Sequence, residues 1–177
     1  MLPPMDNATA GESRAETALS NISSALWHIR ELLDLLTFKL ETEQVLVAAG
    51  RARWLGRATH EVELVLEELR HADLRRTVEI GDVAEALGLD PDVSLGELAK
   101  AAPAPWNDVL ADHRETLINA TTEISALAES NRELLDSSYR ALQDALGLLS
   151  RTPEPSTYTA DGATSPQTTR RLFDQST

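Results

Sequence analysis

Four histidines and a surplus of carboxylates are the residues here whose types could do chemistry. Glu68 and His71 stand three apart in "EELRHADLRR", the spacing that puts a carboxylate and an imidazole on one helix face. That is the Glu-x-x-His unit of four-helix di-iron proteins, which need two such units and two further carboxylates from other helices. His28, His60 and His113 have no acid three residues upstream, so the second unit is missing. His60–Glu61 opens like a zinc-protease helix, but Leu64 stands where the second histidine is required. Ser130 and Ser138 have no His and Asp partners readable from spacing, and the eight glycines are scattered rather than gathered into a phosphate loop. Cysteine is absent, which removes thiolate metal sites and disulfides. The expectation is a protein that is not an enzyme and has no metal and no cofactor.

Charge narrows the partners. The net charge is −13, and the stretch from Arg151 onward balances three arginines (Arg151, Arg170, Arg171) against three acids (Glu154, Asp161, Asp174). The whole excess therefore lies in residues 1–150, and a body this acidic is repelled by nucleic acid and by anionic membrane surfaces. The opening "MLPPMDNATAGESR" has neither the basic nor the apolar region of a secretory signal, and no apolar run approaches the ~20 residues that span a bilayer. A cytoplasmic protein without membrane insertion is expected. With only seven aromatics, the core must be mostly Leu, Val, Ile and Ala, as in a helical bundle.

The positioning elements follow from periodicity. Residues 1–13 read as a disordered leader. Leu19, Ile22, Leu26, Ile29, Leu33, Leu36, Leu40 and Val47 then alternate by threes and fours, interrupted only by Glu43, as the seam of a coiled-coil-like helix does. Trp27, Leu32, Leu35 and Phe38 widen that stripe, so more than one partner helix is expected. At Gly50 the phase slips, marking a break or kink, and a second helix follows to about Val78. Residues 81–105 read as a connection with short helices around Val83–Leu87 and Leu95–Ala101. The phrase "VAEALGL" also occurs in helix-turn-helix readers, but no Arg or Lys cluster follows it to grip phosphate. Trp54 and Trp106, each beside a break, are placed to plug the ends of a bundle.

From Trp106 to about Leu149 there is no proline, and Leu117, Ile124, Leu127, Leu134, Leu135, Leu142, Leu146 and Leu149 line one side. A helix of roughly 40 residues would be about 60 Å long and needs long partners. Asn131 and Ser138 fall on the same stripe, as a buried register device or as part of a face that receives another molecule; the pattern leaves both open. Beyond Arg151, burying Tyr158, Leu172 and Phe173 would contribute roughly 5–8 kcal/mol. Ordering the tail costs about 1–2 kcal/mol per residue, so residues 151–177 read as a disordered tail.

The segment "LAESNRELLDSSYRALQDALGLLSRTPEPSTYTADGATS", Leu127 to Ser165, resembles the C-terminal part of FlgN-type flagellar export chaperones. The likeness rests on "NRELL", on the amphipathic continuation "YRALQDALGLL", and on a proline-containing exit followed by Tyr158, Ala160, Asp161 and Gly162. Upstream, "RELLDLLTFKLETEQVLVAAGRARWL" is similar to that family's first helix. The 81–105 connection is longer than in smaller members, and "RRLFDQST" at the end has no counterpart. The resemblance implies an all-α, elongated antiparallel bundle with long first and last helices, the chaperone domain spanning 14–150. It implies a cytoplasmic type III secretion chaperone that holds hook-associated proteins of the FlgK and FlgL type unpolymerised and delivers them to the export gate. Clients would dock on Asn131, Leu134, Leu135, Leu142 and Leu146. The cytoplasmic domain of the gate protein FlhA would be met by Tyr158, with Ala160, Asp161 and Gly162 shaping the approach. A structural coiled coil without a client, closed by homo-oligomerisation, is the alternative, and exposure along the last helix is what separates the two.

Overall fold

The computed structural model describes residues 7–151, and the account of the fold is confined to them. Four helices make up the described secondary structure: α1 (Asn7–Ala48), α2 (Ala52–Leu87), α3 (Leu95–Ala101) and α4 (Trp106–Arg151). No proline lies between Pro4 and Pro91 or between Pro105 and Pro153, so nothing breaks the three long helices from within. The chain divides into two units, Met1–Ser138 and Tyr139–Thr177.

Gly50 ends α1 rather than bending it. Its φ of +63° lets the Arg51 amide donate to the Leu46 carbonyl and its own amide donate to Val47, a Schellman closure. Gly88, at φ +67°, closes α2 in the same way, with Leu89 donating to Ala84 and Gly88 to Glu85. Ser94 starts α3 with a capping box: its hydroxyl accepts from the Glu97 amide, and the Glu97 carboxylate accepts from the Ser94 amide.

Within the first unit the polar contacts fix the directions. Lys39 meets Glu61 at 2.7 Å near one end, and Arg14 meets Glu85 at 2.9 Å near the other, so α2 runs antiparallel to α1. Ser23 meets His113 and Gln44 meets Ser130, so α4 runs parallel to α1. The result is an up–down–up bundle in which α3 fills the turn between α2 and α4. Leu98 of α3 is fully buried with Leu19, Ile22, Val83 and Leu110. Further along, Ile29, Leu32 and Leu33 pack on Ala72, Leu117 and Ile124, and then Leu36 and Leu40 pack on Val62, Val65 and Leu127.

Three expectations change. α1 takes in residues 7–13, which the sequence assigned to a leader. α2 continues through Gly81 to Leu87, so Val83–Leu87 is its last turn and not a separate helix. Burial of Ile80, Val83 and Ala84 outweighs a helical glycine penalty of about 1 kcal/mol. Finally, of the residues expected to widen the α1 stripe, only Leu32 is buried; Leu35 and Phe38 face outward, and Trp27, half exposed, sets its ring edge-on to His113 with centroids 5.2 Å apart. Trp106 packs on the end cluster as expected, whereas Trp54 is half exposed.

Candidate functional site

Asn131 is 3% exposed and faces the bundle. Its amide Nδ2 donates to the Leu40 carbonyl at 2.8 Å and lies 3.4 Å from Glu43 Oε2. Two acceptors around one atom identify that atom as the nitrogen. Its Oδ1 is buried without a protein partner. Glu43, the polar interruption of the α1 seam, is buried as well and accepts from the Thr59 hydroxyl at 2.6 Å. One carboxylate thus links α1, α2 and α4 at a single level. This geometry is that of the register device, with the Asn131 side chain buried in the bundle.

Leu134 and Leu135, one turn on, are half-buried in the first unit. In the second unit Tyr139, Leu142 and Leu146 are 62%, 58% and 58% exposed. The Tyr139 hydroxyl is held by Gln143 Nε2 at 2.7 Å, which fixes the ring along the helix. Within the first unit, Leu117, Ile124 and Leu127 are partly buried and pack against the core. Tyr158, Ala160, Asp161 and Gly162 lie outside the described residues.

A second polar cluster escaped the sequence reading. His113 is 1% exposed, with Ser23 Oγ 3.2 Å from Nε2 and Arg30 Nη1 3.4 Å from Nδ1. Arginine only donates, so Nδ1 is the acceptor and Nε2 carries the proton that goes to Ser23. Burial, reinforced by the Arg30 charge and opposed by Asp112, pushes the imidazole below its usual pKa. A serine–histidine pair whose outer nitrogen faces a cation is poorly set up as nucleophile and base, because the orienting group in such sites is a carboxylate. The cluster reads as a latch between α1 and α4, with Arg30 also bonded to Asp112 at 2.9 Å. No spacing rule could have paired residues 90 apart.

Glu68 and His71 are both exposed on α2, and among the described residues no three potential metal ligands gather. An open groove of about 410 Å³ runs between α2 and α4, floored by Ile29 and Leu33 of α1 and walled by Leu66, Leu69 and Leu117. No helix among the described residues is long and apolar enough to cross a membrane.

The described residues are thus all-α, and the last helix leaves Tyr139, Leu142 and Leu146 more than half exposed. The family model described as FlgN protein matches residues 18–166, most of the chain. The chain belongs to the FlgN family and is a flagellar export chaperone. It matches no curated protein and no solved structure.

Proposed function

We propose that the protein acts in the cytoplasm, where it binds hook-associated proteins of the FlgK and FlgL type through α4, keeps them unpolymerised, and hands them to the cytoplasmic domain of FlhA. The observation that supports this most is the exposure of Tyr139, Leu142 and Leu146 on α4. A client helix would lay its apolar side on Leu134, Leu135, Leu142 and Leu146, with Tyr139 at the edge. Asn131 contributes by holding α4 to α1 and not by touching the client. Tyr158, followed by Ala160, Asp161 and Gly162, would be the gate contact: one aromatic anchor ahead of a turn-forming Asp–Gly pair.

Two variants separate these roles. Leu135→Asp combined with Leu142→Asp should cost at least ~3 kcal/mol of client affinity, on the order of 100-fold, because docking would bury two carboxylates in an apolar contact. Tyr158→Ala should leave client affinity unchanged and impair secretion of hook-associated proteins. If Tyr158→Ala weakened client binding as much as the α4 pair, the division between helix and tail would be wrong.

A further inference from the structure

The negative charge of the chain is not spread evenly. Between Glu43 and Glu61 stand Arg51, Arg53 and Arg57 and no acid, on a chain of net charge −13. The two carboxylates that bound this stretch are already engaged. Glu43 is buried and accepts from Thr59, and Glu61 is shared by Lys39 at 2.7 Å and Arg57 at 3.1 Å. Arg51 and Arg53 are exposed and have no ion pair among the described residues.

The turn between α1 and α2 gathers these side chains in one place. The Arg51 amide is fixed to the Leu46 carbonyl, and the Arg51 carbonyl accepts from the Trp54 amide at 2.9 Å. Trp54 is 46% exposed, and the Arg53 guanidinium lies 5.1 Å from the centre of its ring. Arg57 follows Arg53 by four residues and so stands on the same side of α2. The result is a half-exposed indole among guanidiniums, two of which have no carboxylate. Folding alone does not ask for this. Cations in the first turn oppose the helix dipole, α2 has no acid there, and the Arg51 side chain makes no cap. Local conflicts of that kind gather where a surface serves a partner.

We infer that the α1–α2 turn is a docking surface for an acidic segment of another protein, whose Asp or Glu side chains meet the guanidiniums of Arg51 and Arg53 while a neighbouring apolar side chain covers Trp54. The guanidinium fork matches a carboxylate through two parallel hydrogen bonds, and a half-exposed tryptophan is a ready anchor. A short segment fits this turn better than an anionic membrane does. Charges are screened beyond about 8 Å at physiological salt, so a segment of a few residues meets the basic turn alone. A membrane surface would also face the acidic remainder of the molecule. The surface uses none of the α4 leucines, so it does not rest on the reading of α4.

The test uses the full-length protein and two short synthetic peptides with the same Phe and Leu residues, one bearing Glu and Asp and the other Gln and Asn in their places. The acidic peptide should bind, and the amide peptide should bind at least ~10-fold more weakly. Attraction to the chain as a whole would give the opposite order, because the chain is acidic. Of the three indole N–H signals in an NMR spectrum, that of Trp54 should shift most. Arg51→Gln with Arg53→Gln should weaken the acidic peptide about 10-fold and flatten its salt dependence. Trp54→Ser should weaken it several-fold. Arg70→Gln with Arg114→Gln removes the same charge from two other exposed positions and should change the affinity by less than about twofold. Unaltered circular dichroism of each variant keeps the comparison clean. The proposal is overturned if the acidic peptide fails to bind, binds no better than the amide peptide, or binds the Arg51/Arg53 variant as well as the wild type. It is also overturned if the Arg70/Arg114 variant is weakened as much, which would make the effect one of total charge. Vesicles containing phosphatidylserine that shift the Trp54 signal where the acidic peptide does not would overturn it too, making the turn a lipid contact.

Discussion

Replacing Asn131 by leucine distinguishes a residue that sets register from one that touches a client. The substitution removes the 2.8 Å bond to the Leu40 carbonyl and the long contact to Glu43. Such bonds contribute about 1–1.5 kcal/mol net. The Leu40 carbonyl keeps its place in the α1 ladder, and Glu43 keeps the Thr59 hydroxyl. The same substitution abolishes a buried oxygen without a protein partner, whose desolvation costs about 1–3 kcal/mol, and leucine fills the space left by the amide. Leucine should therefore be at least as stable as asparagine, by up to about 1 kcal/mol, which for a chain of this size raises Tm by about 2–4 °C. Asn131→Ala loses the same bonds and leaves a cavity, so it should be about 1–2 kcal/mol less stable than the wild type. Urea unfolding followed by circular dichroism gives the ranking Leu, Asn, Ala. Client affinity should be unchanged in the leucine variant, because the side chain is 3% exposed. A leucine variant as unstable as the alanine one would mean that the amide bonds outweigh the unpartnered oxygen. A folded leucine variant that lost client affinity tenfold would mean that Asn131 meets the client directly.

Four further outcomes follow from the same structure. His113 is held below its ordinary pKa, so its neutral form is favoured in the folded state. Stability should fall as pH drops below about 6.5, where the unfolded chain takes up the proton that the folded one resists. Thermal melts at pH 7.5 and 5.5 should differ less for His113→Gln than for the wild type. Gly50→Ala should destabilise by about 1–2 kcal/mol, because a side chain at φ +63° is strained even in open space. Gly56→Ala, inside α2 with nothing within 4 Å of an added Cβ, should stabilise by about 0.5–1 kcal/mol. Leu98→Ala should cost about 2–5 kcal/mol and, by loosening α3, speed hydrogen exchange at the start of α4, since Leu98 is fully buried against Leu19 and Leu110.

The long seams were legible because threefold and fourfold spacing translates directly into one buried face. Leu19 through Leu40 are buried as the alternation requires, and even Glu43 earns its interruption by tying three helices together. Gly50 was readable as a boundary because the apolar phase changes across it. Phe38 does not widen the stripe, because its angular position on the helix opposes the stripe's centre, and Trp27 is covered in part only because His113 comes to it from α4. The continuity of α2 past Val78 is not legible in the sequence, because it depends on the tertiary burial of Ile80 and Val83 that carries the helix past Gly81. The Ser23–His113–Arg30 latch was out of reach, because it depends on which helices meet and at what level. For the site, helical phase marks a line of leucines along α4, and it is the family resemblance that singles out Leu134, Leu135, Leu142 and Leu146. Neither could tell that Asn131, on the same phase, lies where α1 still covers α4.

The most direct test of the central claim is co-purification with hook-associated proteins from a flagellated host, comparing the full chain with a truncation ending at Arg151. The account predicts that both forms bring down the same hook-associated proteins, while only the full chain also retains the cytoplasmic domain of FlhA. Loss of the hook-associated proteins from the truncated form, or their absence from both, would contradict it.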